Sequence, residues 1–225
     1  MLLDELVRKF RNNRVRIIYD NEYPVVSLLF HHVFPSFKEN NTYVIVYTDT
    51  MCRRLRKMYI TAKDRNPSID EFLNKTKIIK VGTREIAAFG ELYAFIPSEG
   101  YYDELRRLES LFKKMCDNDV IVTFGLCLIP AIYGREAIGA LLKVLDSVPQ
   151  DVTMVSLFPS GICSEELSSI INIFYDVVMN VRCGEEFFGF GEDTYMVGIE
   201  HSVVGDLPPG YMRVRIAENG KLQEI

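Results

Sequence analysis

The sequence contains no tryptophan, only two glutamines and no long uninterrupted apolar run. Its longest apolar stretches, residues 43–47 and 124–133, fall short of the roughly 20 residues that a membrane span needs. The first residues carry acids where a signal peptide would be positively charged. We therefore expect a cytoplasmic protein that has no membrane partner. Because amide side chains are heat-labile, the scarcity of glutamine also favours a thermophilic source.

Cysteine and histidine are too few and too scattered to match a metal site of known spacing. The five cysteines are an odd number, they lie far apart, and none forms a C-x-x-C pair. We interpret most of them as buried free thiols rather than disulfides. His31, His32 and His201 have no cysteine or carboxylate pattern around them. We therefore predict no metal ion and no other cofactor.

Positive charge is not in excess either. The chain has 26 lysines and arginines against 31 aspartates and glutamates, which gives a formal charge of -5. This charge provides no global field that would favour nucleic acid. The basic cluster from Arg53 to Lys57 is typical of a solvated helix face, and nucleic-acid binding would require it to form one exposed stripe with Lys63 and Arg65. Nucleic acid is therefore not an expected partner.

The sequence does contain a regular alternation of strand and helix patterns. Apolar and β-branched runs predict strands, and amphipathic stretches between them predict helices. The alternation predicts an α/β fold of three layers, with right-handed crossovers, a mainly parallel sheet and helices on both faces. The predicted parallel strands are residues 14–19, 42–48, 77–81, 119–124, 151–157 and 176–181.

The ends of this pattern complete the fold prediction. Residues 194–199 and 211–216 alternate in polarity around a turn rich in Gly and Pro, which predicts an antiparallel C-terminal hairpin. Residues 3–10 have helical spacing, and Pro24 with the apolar residues 25–37 predicts a helix after the first strand, which Pro35 kinks or ends. Residues 83–97 have no regular pattern. No linker divides the chain, so we predict a single domain over residues 1–225.

The connection after the first strand is the first place to seek chemistry, because open α/β sheets bind ligands at the carboxyl ends of their strands. A phosphate loop needs glycines whose N–H groups wrap the phosphate, a lysine, and a Ser or Thr for magnesium. Residues 20–27 contain neither Gly nor Lys, and they hold two acids that would repel phosphate. Asp20, Asn21, Glu22 and Tyr23 are instead candidates for holding a ribose or a cationic group.

Asp49 follows the second strand and has two interpretations. It could orient a water molecule or a metal ion, or it could cap the next helix. No metal partner lies near it in the sequence, so the cap is the favoured interpretation. After the fourth strand, residues 122–125 offer no acid that would orient magnesium. Cys163 lies at a helix start, but no base partner is identifiable and we predict no catalytic residue.

Phe187, Phe188 and Phe190 lie among acids and glycines in the most unusual segment of the chain. Two interpretations stay open for these three side chains. They form either an exposed docking patch for a protein partner or a core hairpin that packs on the sheet.

Three segments carry a resemblance to known proteins: residues 18–25 at the first helix, residues 77–82, and residues 176–216. With the order of the strands, they resemble the RecA and KaiC ATPase core. More narrowly, the chain is similar to an archaeal family of KaiC-like proteins known as domain of unknown function 257. The resemblance implies a RecA/KaiC-like fold with a phosphate loop at residues 20–27, a catalytic carboxylate at Asp49 and a magnesium-orienting acid at residues 123–124.

Of these three parts, only Asp49 matches by residue type. Phosphoryl transfer depends on all of them, so the resemblance implies an inherited fold that has lost ATP hydrolysis. We predict a non-catalytic binding or regulatory module that acts through a protein partner or by self-association. The alternative is a nucleotide- or small-molecule-binding protein, or an enzyme, with an altered site at Asp20, Glu22, Tyr23 and Asp49.

Overall fold

The protein is built around one mixed sheet, seen in a computed structural model that describes residues 3–183 and 194–225. Its strands in these residues are β1 (Arg14–Tyr19), β2 (Thr42–Tyr47), β3 (Lys77–Gly82), β4 (Glu91–Pro97), β5 (Val120–Phe124), β6 (Thr153–Pro159), β7 (Val177–Cys183), β8 (Thr194–Ser202), β9 (Gly210–Ile216) and β10 (Leu222–Glu224). The runs predicted from apolar and β-branched residues are all strands.

The strand order across the sheet is β10-β9-β8-β7-β1-β6-β5-β2-β3-β4. Neighbouring strands from β7 to β4 are parallel, and β7, β8, β9 and β10 pair antiparallel. β1 lies at the centre, where Ile17 is level with Leu157 of β6 and Met179 of β7. This topology confirms the predicted mainly parallel sheet and the antiparallel C-terminal hairpin.

Helices cover both faces of the sheet. They are α1 (Leu3–Arg8), α2 (Glu22–Leu28), α3 (Phe34–Ser36), α4 (Asp49–Arg65), α5 (Asp70–Leu73), α6 (Tyr101–Phe112), α7 (Leu128–Tyr133), α8 (Glu136–Asp146) and α9 (Glu165–Asn172), with a π turn at Leu29–Val33 and a 3-10 turn at Pro67–Ile69.

The helices bury apolar side chains in two separate cores, one on each face of the sheet. Helices α1 to α5 contribute to one core, as Leu28 and Leu55 show. Helices α6 to α9 contribute to the other core, as Leu105, Leu141 and Ile171 show. This arrangement confirms the three predicted layers. Within the described ranges, no helix is long and apolar enough to cross a bilayer.

The helical segment after β1 starts two residues before Pro24, its predicted start, and changes its winding. It begins at Glu22, where Asn21 caps it, passes through the π turn and ends at Ser36. Pro35 lacks the N–H that a longer helix would use, and the helix ends one residue after it. The prediction that Pro35 kinks or ends this helix is therefore confirmed.

Two strands were absent from the sequence prediction. β4 lies within residues 83–97, which were predicted to be irregular, and it forms one edge of the sheet. β10 forms the other edge and is three residues long. Leu222 of β10 donates its N–H to His32 Nε2 at 3.0 Å, and the Ser27 hydroxyl donates to the Gly220 carbonyl. These two hydrogen bonds hold β10 and the turn before it against α2 and the π turn.

Candidate functional site

Only two residues, Asp20 and Asn21, connect β1 to α2. The Asp20 carboxylate accepts the Cys183 N–H at 3.2 Å, so it is bound to the end of the neighbouring strand β7. Asn21 accepts the Tyr23 N–H at 2.8 Å and caps α2. Pro24 has no N–H to offer in the first turn of α2. The connection is therefore short, and its polar groups are engaged within the chain.

Glu22 and Tyr23 bind α2 to α4. Glu22 forms an ion pair with Arg54. The Tyr23 hydroxyl accepts a hydrogen bond from Arg65, whose guanidinium carbon lies 4.9 Å from the centre of the tyrosine ring. Glu22 and Tyr23 therefore lie at the interface between α2 and α4.

Thr48, rather than Asp49, is the N-cap of α4, which corrects the predicted cap. The Thr48 hydroxyl accepts the Met51 N–H at 3.2 Å, and the Thr48 backbone takes a φ of 78°, a conformation uncommon for residues other than glycine. Asp49 is the first residue of the helix. Its side chain is therefore free to turn away from the helix end and towards β3.

Asp49 is the partner of a buried lysine. Lys80 of β3 is fully buried, and its ammonium group donates to Asp49 Oδ1 at 2.7 Å and to the Val81 carbonyl at 2.6 Å. The Thr83 hydroxyl and the Arg84 N–H also donate to the Asp49 carboxylate. Partial burial by itself would raise the pKa of Asp49, but the hydrogen bonds from Lys80 and Thr83 and the charge of Lys80 outweigh it and lower the pKa to about 2.

Gly82 makes room for this ion pair. A Cβ atom built on Gly82 would lie 2.0 Å from Lys80 Nζ and 2.5 Å from Asp49 Oδ1. No side chain fits there without displacing one of the two charged groups. The glycine after β3 is thus explained by packing against the Asp49–Lys80 pair.

A groove of about 320 Å³ lies beside Asp49, between the start of α4 and the chain that follows β3. Three arginines, Arg53, Arg56 and Arg84, line it, and we name it the arginine groove. The remaining lining residues are Asp49, Thr50, Cys52, Thr83, Ile86 and Ala87. Within the described part of the chain, none of the three guanidinium groups forms an ion pair.

The end of β5, where the resemblance places the magnesium-orienting acid, has an uncharged contact instead. The Thr123 hydroxyl donates to the Ser156 hydroxyl at 2.9 Å, and Phe124 is buried. Under helix α6, Glu104 is fully buried and accepts from the Tyr47 hydroxyl at 2.6 Å and the Ser98 hydroxyl at 2.7 Å. Sequence reasoning missed Glu104, whose contacts join the first turn of α6 to the ends of β2 and β4.

The structure separates the residues that the sequence grouped into one candidate site. β6 and β5 lie between β1 and β2, so Asp20 and Asn21 are three strands away from Asp49. Helix α4 lies between the two places, with Arg54 on Glu22 and Arg53 at the arginine groove. The candidates thus form two groups, one at the start of α2 and one at the start of α4.

The remaining candidates are the three phenylalanines of the predicted docking patch and the five cysteines. Phe187, Phe188 and Phe190 lie outside the described residues. All five cysteines are present as thiols, but only Cys52 and Cys127 are buried, fewer than predicted. Burial raises the pKa of the Cys163 thiol despite the nearby charge of Arg16, whereas a nucleophile needs a lowered pKa.

Comparison with solved structures places the fold. A Pyrococcus horikoshii OT3 protein, solved in a structural study, is 14% identical with a TM-score of 0.66, over 99% of this chain and 98% of that one. A KaiC-like protein from the same hyperthermophilic archaeon is 15% identical with a TM-score of 0.66, over 95% and 90%. The flagellar accessory protein FlaH from Methanocaldococcus jannaschii is 13% identical with a TM-score of 0.53, over 100% and 96%.

No protein-family model and no curated protein matches the chain. Membership of the narrower family, domain of unknown function 257, therefore stays a prediction. At these low sequence identities, the structural similarity shows the fold and nothing about function. The chain has a RecA/KaiC-like α/β fold.

Proposed function

We propose that this protein is a RecA/KaiC-like binding or regulatory module that does not hydrolyse ATP. The observation that carries the proposal is the two-residue connection between β1 and α2. A phosphate loop spans about eight residues and wraps the phosphates with successive N–H groups. Asp20 and Asn21 are too few for such a loop, and Glu22 adds a negative charge where the phosphates would lie.

The positions that would serve magnesium and the attacking water support the same proposal. Thr123 and Phe124 supply no carboxylate at the end of β5. Asp49 is already bound to Lys80, Thr83 and the Arg84 N–H, so its oxygens are occupied. Phosphoryl transfer depends on positioning and charge neutralisation by these parts together.

Phosphate release and thermal unfolding with ATP and magnesium test this proposal. We expect no phosphate release above a protein-free blank and no rise in melting temperature at millimolar ATP, because only a ligand of the folded state raises it. Turnover by the purified protein that Asp49→Asn abolishes would contradict the proposal, since a contaminating ATPase would be unaffected by that change.

Such a module acts by contact with another protein or with a second copy of itself. Phe187, Phe188 and Phe190 are the residues that the sequence offers for this contact. Light scattering over a hundredfold range of concentration tests self-association, and the triple change of these phenylalanines to serine is the matched variant. A chain that is monomeric throughout and retains no partner would count against this part of the proposal.

The second candidate function is small-molecule binding at the carboxyl ends of β2 and β3. The arginine groove favours it, because it is concave, lies at the strand ends where α/β sheets bind ligands, and has both polar and apolar walls. Asp49→Ala is a poor test of this function, since it also strips the buried Lys80 of its partner. Substitution of the exposed arginines is the sharper test.

A further inference from the structure

We infer that the arginine groove binds a small phosphate-bearing anion, an inference that rests on the second candidate function above. The groove lies beside α4 and the residues after β3, whereas the phosphate loop of the RecA/KaiC fold would follow β1. It is therefore a different place from the ATP site that the fold implies.

The charge of the groove favours an anion. Arg53, Arg56 and Arg84 bring three positive charges to its wall, and none is ion-paired with any residue between 3 and 183 or between 194 and 225. The single carboxylate among the lining residues, Asp49, is neutralised by the buried Lys80. A bound anion would offset the mutual repulsion of the three guanidinium groups.

Three other surface arginines, unlike those of the groove, form ion pairs. Arg54 pairs with Glu22, Arg106 with Asp103, and Arg107 with Glu99. Arg54 lies on α4 between the two groove arginines in sequence, yet it faces α2 and not the groove. Arg53 and Arg56 thus line one concavity with Arg84 and have no ion pair in the described residues, whereas Arg54 between them is paired outside it.

The groove is also held in shape before any ligand binds. Asp49 accepts the Arg84 N–H at 3.3 Å and the Thr83 hydroxyl, so both residues after Gly82 are fixed to the first turn of α4. Arg53 and Arg56 are three residues apart on that helix and project from the same side. Guanidinium groups bind phosphate through paired N–H donors, and a prearranged set loses less entropy on binding.

The size of the groove selects the class of anion. Its volume of about 320 Å³ lies at the small end of the range for ligand pockets, roughly 300–1,000 Å³. Cys52, Ile86 and Ala87 supply an apolar wall beside the charged one. A compact organic phosphate fits both walls. A nucleic-acid strand would instead need an extended basic stripe with stacking aromatic side chains, and none lines this groove.

Isothermal titration of the full chain with pyrophosphate tests the inference. The double variant Arg53→Gln, Arg56→Gln and the single variant Arg84→Gln should each weaken binding at least about tenfold, the loss expected for a charge-assisted hydrogen bond. The matched control is Arg54→Gln, Lys57→Gln, which removes the same charge from the same helix outside the groove and should bind as the parent does. Equal weakening in groove and control variants would overturn the inference.

Further ligands separate the possible sources of the anion. Adenosine monophosphate that binds more tightly than pyrophosphate would support an organic phosphate that uses the apolar wall. Citrate binding in place of pyrophosphate would overturn the phosphate class, although small-molecule binding would stand. No binding by any of the three at low salt would overturn both. ATP turnover bears on the first proposal alone, so the failures are distinguishable.

Discussion

Lys80 is fully buried in β3, and its ammonium group has only Asp49 as a charged partner in the described chain. Removing an ion from water costs several kcal/mol unless a partner of opposite charge and further hydrogen bonds compensate. Asp49 Oδ1 and the Val81 carbonyl provide this compensation. The structural role of Asp49 is therefore to neutralise the buried Lys80.

Loss of this partner should destabilise the protein strongly. We expect Asp49→Ala to lower the free energy of unfolding by about 3 kcal/mol, because it leaves a buried charge unpaired. Urea denaturation measures the change. The control is Asp103→Ala, whose pair with Arg106 is more than half exposed on both sides and should cost less than about 0.5 kcal/mol.

A second variant distinguishes a lost partner from general damage. Adding Lys80→Met to Asp49→Ala removes the unpaired charge and keeps an unbranched side chain of similar length. This double variant should recover most of the lost stability. If the double variant is no more stable than Asp49→Ala alone, the cost does not come from the buried ammonium group.

The sequence located Asp49 but not its partner. Asp49 is a candidate because it directly follows a recognisable strand, and this criterion depends on the local sequence alone. Lys80 lies 31 residues later, and only the parallel register of β2 and β3, in which Tyr47 is level with Val81, brings the two together. Such a register cannot be read from a single sequence, so the arginine groove beside this pair could not be predicted.

At the scale of elements, two buried histidines lie in the π turn, and His32 holds the C-terminal strand. His32 Nδ1 lies 2.6 Å from Asp4 Oδ1, and its Nε2 accepts the Leu222 N–H, so Nδ1 carries the proton. Burial, with the charges of His32 and Lys221, lowers the pKa of His31 to about 4. Burial also lowers the pKa of His32, although Asp4 opposes that shift. Both side chains are neutral in the folded protein at neutral pH.

These histidines should make the fold sensitive to acid. Below the ordinary histidine pKa of 6.5, the unfolded chain binds protons that folded His31 does not, so stability falls until about pH 4. We expect His31 to account for a loss of roughly 3 kcal/mol over this window. Urea denaturation at several pH values measures it.

The contribution of His31 can be isolated by substitution. His31→Leu should flatten the decline between pH 6.5 and about 4, because the leucine binds no proton. His201→Gln is the control, since His201 is exposed at the end of β8 and its removal should leave the slope unchanged. An unaltered slope in His31→Leu would contradict the assignment.

Burial decides which elements were predictable. β2 and β5 are buried along their whole length, and such strands read as continuous apolar runs. β4 forms an edge, with Glu91 and Tyr93 exposed, so its sequence has the mixed polarity of a loop. β10 is three residues long and depends on contacts with His32, which lies 190 residues earlier. Edge strands held by distant contacts are the elements that sequence patterns miss.

At the scale of the whole molecule, thiol reactivity reports how the fold shields its cysteines. All five are present as thiols, with Cys116 exposed, Cys163 and Cys183 partly exposed, and Cys52 and Cys127 buried. Burial, with the nearby Cys163, raises the pKa of Cys127 to about 12. Because the thiolate is the reactive form, a buried thiol with a raised pKa reacts slowly.

A colorimetric disulfide reagent should therefore modify one thiol of the native protein quickly, two more slowly, and the last two only on unfolding. Cys116→Ser should remove the fast phase and leave the others. All five thiols should react in denaturant under non-reducing conditions. A total of three would reveal a disulfide and contradict the assignment of all five cysteines as thiols.

The position of β1 at the centre of the sheet has a consequence for synthesis. β1 ends at Tyr19 and is made first, whereas its neighbours β6 and β7 end at Pro159 and Cys183. β2, β3, β4 and β5 can pair with one another in the meantime. At about 5–20 residues per second, β1 leaves the ribosome on the order of ten seconds before both of its neighbours. The nascent chain thus presents an unpaired apolar segment, a natural binding site for a chaperone, until its C-terminal half emerges.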